Sequence, residues 1–180
     1  MTKLIELSRI TSRHIGVAAE AIAAAQFARV GFDISVQYGA NQPEYDLAVI
    51  RDDMMLKVSV KGSQDGGWGL SQGFLSNADY HKAADEWLAG HGERTALCLI
   101  QFEGIDLAQM PRIYLALASE VAGMLKASRG GHGDTVIRER KEWGRGIASG
   151  SMDEIPPLWR FSKSRVESLL VATTTIALMK

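Results

Sequence analysis

The sequence has very little cysteine and almost no net charge. Its 180 residues include one cysteine, Cys98, and its 20 basic side chains stand against 21 acidic ones. A single cysteine excludes a disulfide within the chain and a multi-thiolate zinc site. Its place in the apolar run 96–100 predicts a small buried side chain, and we expect a reducing, cytoplasmic setting. The charge balance excludes a wholly basic protein that coats nucleic acid without discrimination.

Long hydrophobic runs are also missing, although 46% of the residues are hydrophobic. No segment reaches the roughly 18 uninterrupted apolar residues of a membrane-spanning helix, and the first residues lack the apolar stretch of a signal peptide. We therefore expect no membrane partner. The chain is long enough to bury a core without disulfides, and neither a repeat nor a linker interrupts it. The sequence predicts a single domain over residues 1–180.

The hydrophobic pattern predicts a mixed α/β fold, with a central sheet flanked by helices. Thr11 and Ser12 are candidate caps for a first helix over 15–30, which Gly31 ends. Alternating or apolar runs predict three strands directly after it, and the last two form a hairpin. The glycine-rich segment 62–73 is expected to be a flexible loop. The remaining predictions are helices over 77–88 and 119–128, strands over 95–102, 112–117 and 158–161, and a final helix capped by Ser162 or Ser164.

The hairpin should gather charged side chains on one face of the sheet. If its turn centres between Asp52 and Asp53, Asp46 lies opposite Ser59 and Glu44 lies opposite Lys61. Alternation then places these four residues, with Lys57, on one face. On the first helix, Glu20 is the only charged residue between positions 15 and 28, so it also requires an explanation.

The order of these residues resembles the PD-(D/E)XK nuclease superfamily. A glutamate on the first helix (Glu20) is followed by Asp46 at the opening of a strand and by Ser59 and Lys61 on the next strand. The spacing is similar to that of the variant with a Gln-x-Lys motif. The resemblance covers residues 15–63 and implies a restriction-endonuclease-like fold, a metal-dependent DNA endonuclease or resolvase-like activity, and a homodimer or homotetramer.

The resemblance also implies a role for each residue. Asp46 would be the central ligand of Mg²⁺ or Mn²⁺, Glu20 would contribute from the helix, and the backbone carbonyl of Val60 would complete the protein ligands. Such hard oxygen ligands suit a cation that polarises a phosphate and lowers the pKa of an attacking water. Lys61 would orient that water or stabilise the developing negative charge.

Ser59 departs from the family pattern, which usually has a carboxylate at this position. A serine hydroxyl is a short, neutral ligand, so the site would hold metal less tightly. Either Glu44 supplies a displaced carboxylate, or Gln64 or Asp65 reaches in from the following loop. The alternative is a catalytically inactive nuclease-like fold that binds nucleic acid or a protein partner.

Charge is unevenly distributed along the chain. Residues 40–110 hold eleven acidic and five basic side chains, whereas residues 129–165 hold eight basic and five acidic ones. The basic stretch is either a solvated face or a DNA-binding surface, and in the second case its candidate contacts are Arg138, Arg140, Lys141 and Arg145. Trp68 either stacks on a base beside the site or folds back onto the core.

Overall fold

The computed structural model describes residues 10–37, 44–92 and 94–178, with side chains up to residue 175. In this part of the chain there are four α-helices and nine strands, with three short 3-10 turns. The helices are α1 (Ser12–Arg29), α2 (Tyr80–Ala89), α3 (Ala118–Ala127) and α4 (Lys163–Leu178). The strands are β1 (Asp33–Val36), β2 (Leu47–Arg51), β3 (Met54–Ser63), β4 (Gly67–Gly69), β5 (Thr95–Gln101), β6 (Arg112–Leu117), β7 (Val136–Arg138), β8 (Arg140–Glu142) and β9 (Met152–Glu154).

Five strands form a central mixed sheet in the order β1-β2-β3-β5-β6. Strands β3 and β5 are parallel, and every other neighbouring pair is antiparallel. The β2–β3 register pairs Leu47 with Val58 and Arg51 with Met54, which is the predicted register. Asp52 takes a left-handed φ of 54° in the two-residue turn, a conformation that aspartate tolerates better than most residues. The predicted mixed α/β fold, with a sheet flanked by helices, is confirmed.

Two hydrophobic layers enclose the sheet. On one face, α1 and α4 pack against Leu47, Val58 and Val60, and on the other face Leu97 and Leu99 lie in a cluster with residues of α2 and α3. All seven residues of β5 are buried. This strand therefore runs through the centre of the molecule, and its neighbour β3 carries the site.

Helix α1 lies unusually close to β3. Thr11 caps the helix and Arg29 ends it, so the predicted helix is confirmed with its start three residues earlier. Its buried side chains include Ala19 and Ala23, which are small enough to let the helix backbone approach the strand. At the crossing, a Cβ added to Gly62 would lie only 2.9 Å from the carbonyl oxygen of Ile15.

Two local predictions are wrong. Segment 62–73 is ordered: β4 pairs with β7, and a 3-10 turn over Gln72–Phe74 follows. Residues 158–161 form no strand but a 3-10 turn over Pro157–Trp159, joined to the sheet by one isolated bridge between Arg160 and Tyr114. Consecutive prolines have no N–H groups to donate to a strand ladder, which explains the turn.

The last helix begins as the sequence predicts, since the Ser162 hydroxyl accepts a hydrogen bond from the Arg165 N–H at 3.1 Å. No helix within the described ranges is both long and apolar enough to cross a membrane.

Candidate active site

A cleft of about 490 Å³ opens where α1 crosses the end of β3. Its walls come from α1, from the residue that precedes β2, from the end of β3, and from the segment that leads into β4. Four charged side chains line it: Glu20, Asp46, Lys61 and Asp65. The first three are the residues that the sequence analysis selected, so the fold brings them together from three separate elements.

Asp46 is the most firmly held of these side chains. Its Oδ2 accepts a hydrogen bond from the Val60 N–H at 2.6 Å and one from the Ser59 hydroxyl at 3.3 Å. Its backbone continues the hairpin, because its N–H donates to the Val58 carbonyl at 2.9 Å. Its Oδ1 accepts no hydrogen bond from any described residue. One oxygen therefore fixes the carboxylate, and the other remains available to a ligand.

The surroundings of Glu20 disfavour the ionised form of its carboxyl group. Burial raises the pKa of its carboxyl group, the nearby Asp46 carboxylate raises it further, and Lys61 acts in the opposite direction. The carboxylate of Glu20 forms no hydrogen bond or ion pair with a described residue. A carboxylate that is partly desolvated and close to a second one, with no internal partner, is typical of a ligand-binding or catalytic site.

Lys61 extends from β3 on the exposed rim of the cleft. Its ammonium group makes no ion pair with any residue in the described ranges, although it is close enough to Glu20 to affect its pKa. The backbone on either side of this residue is fixed: the Lys61 carbonyl accepts a hydrogen bond from the Trp68 indole N–H at 3.0 Å, and Val60 binds Asp46. The Lys61 backbone is therefore fixed, whereas its ammonium group has no ion-pair partner among the described residues.

The Val60 carbonyl faces the same edge as its N–H group, because both groups of one residue project to the same side of a strand. That edge is where Asp46 lies, and Val60 lines the cleft. The residues that could hold a cation are therefore Glu20, Asp46 and the Val60 carbonyl.

This donor set fits Mg²⁺ or Mn²⁺ better than a metal that needs a complete protein cage. No three histidine, cysteine, aspartate or glutamate side chains within the described residues are grouped so that they could hold a metal ion. Magnesium binds through one or two carboxylates and keeps several of its waters, whereas structural zinc sites use cysteine and histidine ligands. Two carboxylates with a backbone carbonyl satisfy the first requirement.

Ser59 has a different place from the one that the family pattern implies. It is 4% exposed, and its hydroxyl donates to Asp46. Neither Ser59 nor the exposed Glu44 lines the cleft that the described residues form, whereas Gln64 and Asp65 do. Ser59 is therefore a positioning residue for Asp46, and of the compensating groups considered, only those of the following loop lie at the site.

A buried polar network supports that loop. The Ser63 hydroxyl donates to Asp65 at 2.9 Å, and the side-chain amide of Gln101 donates to Ser63 at 3.2 Å. The sequence analysis missed Gln101, which is fully buried. The available signal was a single amide that directly follows the apolar run 96–100 in β5.

Trp68 does not offer the stacking surface that the sequence analysis considered. It is 2% exposed, its indole N–H is used by Lys61, and it packs edge-on against Tyr114. The alternative interpretation, a tryptophan folded onto the core, is correct. The pairing of β4 with β7 drives this burial, since it places Trp68 opposite Ile137 in the second hydrophobic cluster.

The predicted DNA-contacting arginines and lysine lie outside the cleft. Arg138 is nearest, because it pairs in register with Gly67, which lines the cleft. Arg140 and Lys141 are exposed on the β8–β9 ribbon, and Arg145 is exposed just beyond it. Arg140 has acidic neighbours, with Glu142 at 3.2 Å and Glu154 at 3.9 Å.

Comparison with family models, with curated proteins and with solved structures gives no match to this chain.

Proposed function

We propose that the protein is a metal-dependent phosphodiesterase of the PD-(D/E)XK type that cleaves DNA as an endonuclease or resolvase. The observation that supports this most directly is the meeting of Glu20, Asp46 and Lys61 in one cleft, from α1, the residue before β2 and the end of β3. A helix followed by three strands, in a mixed sheet flanked by helices, is also the arrangement that the resemblance implies. We place the reaction in the cytoplasm, in a homodimer or homotetramer.

Each group has a role that its surroundings suit. Glu20, Asp46 and the Val60 carbonyl would hold Mg²⁺ or Mn²⁺. When bound there, the cation would polarise the scissile phosphate and lower the pKa of a water. Lys61 would place its ammonium group against the phosphate oxygens, where negative charge develops as the bond breaks. Ser59 and the Val60 N–H would keep Asp46 in its orientation throughout.

A cleavage assay with matched variants tests this proposal. Glu20→Gln, Asp46→Asn and Lys61→Met should each lower the rate of Mg²⁺- or Mn²⁺-dependent DNA cleavage at least about 100-fold, as expected for loss of a charge-stabilising group. Supercoiled, linear and branched DNA should all be offered, because the proposal does not specify the substrate's shape.

Three controls make the same chemical changes away from the cleft. The controls are Lys57→Met, on the same strand as Lys61, Asp52→Asn, in the hairpin turn, and Glu86→Gln, at an exposed position of α2. These variants should cleave at the wild-type rate. If wild-type protein cleaves DNA and Asp46→Asn and Lys61→Met cleave equally well, the proposed site is wrong.

The second candidate function is a nuclease-like fold without catalysis that binds nucleic acid. Ser59 favours it, because this position carries no carboxylate and its hydroxyl is already bonded to Asp46. Calorimetric titration with Mg²⁺ and Mn²⁺ separates the two candidates. Salt-sensitive DNA binding without any metal binding that depends on Glu20 and Asp46 would favour this second function.

A further inference from the structure

Three cationic side chains surround one tryptophan in the last third of the chain. Measured to the centre of the Trp143 ring, the Arg129 and Arg138 guanidinium carbons lie at 5.6 Å and the Lys141 ammonium lies at 5.8 Å. We call these four residues the Trp143 cluster. Each contact lies within the range of a cation–π interaction, so the indole offsets part of the repulsion among the three charges.

Several contacts hold Arg129 in a backbone conformation that is unfavourable for a non-glycine residue. Its guanidinium lies between two rings, 5.1 Å from the centre of Tyr80 and 5.6 Å from that of Trp143. Its backbone has a φ of 57°, in the left-handed region that a non-glycine residue rarely adopts. The buried Asp153 accepts hydrogen bonds from the Arg129 N–H at 3.0 Å and from the Trp143 indole N–H at 2.8 Å. Strained backbone that several contacts maintain is typical of binding sites.

Two carboxylates, Asp134 beside Arg138 and Asp153 opposite Lys141, lie near the three cations of the cluster, so a net charge of about +1 remains. Asp153 is engaged by the two N–H groups just named, and Asp134 binds the Thr135 N–H at 2.7 Å through Oδ1 and approaches Arg138 only at 3.7 Å through Oδ2. Arg129 and Lys141 form no ion pair with a described residue. The Nε atoms of Arg129 and Arg138 are buried with no hydrogen-bond partner in the described part of the chain. The net positive charge of the cluster is what an anion would offset.

The cluster is connected to the cleft through the β4–β7 ribbon. Arg138 pairs with Gly67, and its Nη1 lies 3.8 Å from where a Cβ on Gly67 would be. Gly67 itself lines the cleft together with Lys61. An extended polyanion that occupies the cleft can thus continue along the ribbon to the cluster.

We propose that the Trp143 cluster binds a backbone phosphate of the same nucleic-acid strand, away from the phosphate in the cleft. This inference rests on the proposed function, since it takes nucleic acid as the ligand. The Tyr80 and Trp143 rings hold the Arg129 guanidinium in place, and Lys141 adds an exposed charge. Because a phosphate carries no sequence information, the cluster supplies affinity and register rather than base specificity.

DNA binding measured as a function of salt tests this site. The probe is a fluorescein-labelled duplex of about 20 base pairs, followed by anisotropy in EDTA between about 50 and about 200 mM NaCl, so that no cleavage occurs. The variants are Arg129→Met, which keeps a long apolar side chain between the rings, and Lys141→Gln, which changes an exposed residue. The control is Arg94→Gln, an exposed arginine directly before β5, at the opposite end of the strands from the cleft.

Each cluster variant should weaken binding roughly three- to tenfold at about 100 mM salt and lower the slope of log K against log salt by about 0.9. Arg129→Lys should recover part of the affinity that Arg129→Met loses. In cleavage assays the same variants should raise KM and leave kcat close to wild type, as expected for a residue that positions substrate. Thermal melting checks that each variant is folded.

The outcomes separate this site from the proposed function. If wild-type protein binds and cleaves DNA while Arg129→Met and Lys141→Gln behave like Arg94→Gln, the Trp143 cluster is not a phosphate site and the active-site proposal stands. If wild-type protein neither binds nor cleaves DNA, both proposals fail together. If the cluster variants lose salt-dependent binding but no variant of the cleft affects cleavage, the phosphate site stands and the proposed catalytic site is wrong.

Discussion

Gly62 is the point at which α1 rests on β3, and Gly62→Ala should separate the two elements that form the cleft. The added methyl group would lie 2.8 Å from Ile15 Cγ2 and 2.9 Å from both the Ala19 Cβ and the Ile15 carbonyl oxygen. Carbon atoms in contact prefer about 3.5–4.0 Å. The helix must therefore move by roughly 0.6–1.2 Å, because neither a backbone oxygen nor a Cβ can rotate away.

The expected cost follows from this overpacking. Extra methyl groups forced into a tight contact cost about 1–3 kcal/mol of unfolding free energy. In a chain of this size, each kcal/mol corresponds to about 2–4 °C, so the melting temperature should fall by about 2–12 °C. Displacement of Glu20 from Asp46 by about 1 Å should also slow metal-dependent cleavage, by up to about 100-fold.

Gly123→Ala is the matched control for this experiment. Gly123 lies inside α3, and nothing is within 4 Å of the position its Cβ would take. Alanine is favoured over glycine in a helix by about 0.5–1 kcal/mol, so this variant should melt slightly above wild type and cleave normally. If Gly62→Ala melts within about 1 °C of wild type, α1 is not pressed against β3 as described and the reasoning fails.

Four further variants test the electrostatics and hydrogen bonds of the fold and site. Burial raises the pKa of Glu139, but hydrogen bonds from Arg112 and Tyr114 outweigh it and hold the pKa below 4.5. Its stabilisation is therefore present above that pH and lost in acid. The free energy of unfolding of Glu139→Gln should be about 1.5–3 kcal/mol below wild type near pH 7, and the difference should vanish as acid protonates Glu139. The pH dependence of Glu20 is opposite, because its raised pKa means that ionisation of the carboxyl group lowers stability as pH rises. Glu20→Gln should therefore melt above wild type at neutral pH and at the wild-type temperature in acid. A series of melting curves at different pH values checks this. Trp68→Phe loses the hydrogen bond to the Lys61 carbonyl and should cost about 1–3 kcal/mol in urea unfolding. Ser59→Asp restores a family-like carboxylate but buries it against Asp46, so it should cost about 3–5 kcal/mol rather than improve activity, and equal stability would contradict the assignment of Ser59 as a donor.

The hairpin and first helix could be predicted because their signals are local. Turn residues at Asp52 and Asp53 set the register of the two strands, and the observed pairing of Leu47 with Val58 follows directly from that centre. An alanine-rich helix with one carboxylate, directly before these strands, has few places to pack other than on the sheet they form. Glu20, Asp46 and Lys61 were therefore brought to one cleft by short-range rules.

The segment after β3 could not be predicted because its partner is distant in sequence. Five glycines in twelve residues favour a flexible loop by local criteria. What orders the segment is the pairing of Gly67 with Arg138 and the burial of Trp68 against Ile137, both in the last third of the chain. The same pairing places Arg138 beside Gly67, which lines the cleft, so local patterns could not predict the connection between the basic stretch and the site.

Ser59 shows why a motif position does not fix a chemical role. Residue 59 and the Val60 N–H both donate to one oxygen of Asp46, so the position requires a donor, and an ionised carboxylate has none to offer. A glutamate there would add a third negative charge to Glu20 and Asp46, with Lys61 as the only nearby cation among the groups that shift the pKa of Glu20. With serine at position 59, three carboxylates (Glu20, Asp46 and Asp65) and one ammonium (Lys61) line the cleft, and their net charge is −2. A cation held by Glu20 and Asp46 would therefore bind more weakly than at a site with a further carboxylate at position 59.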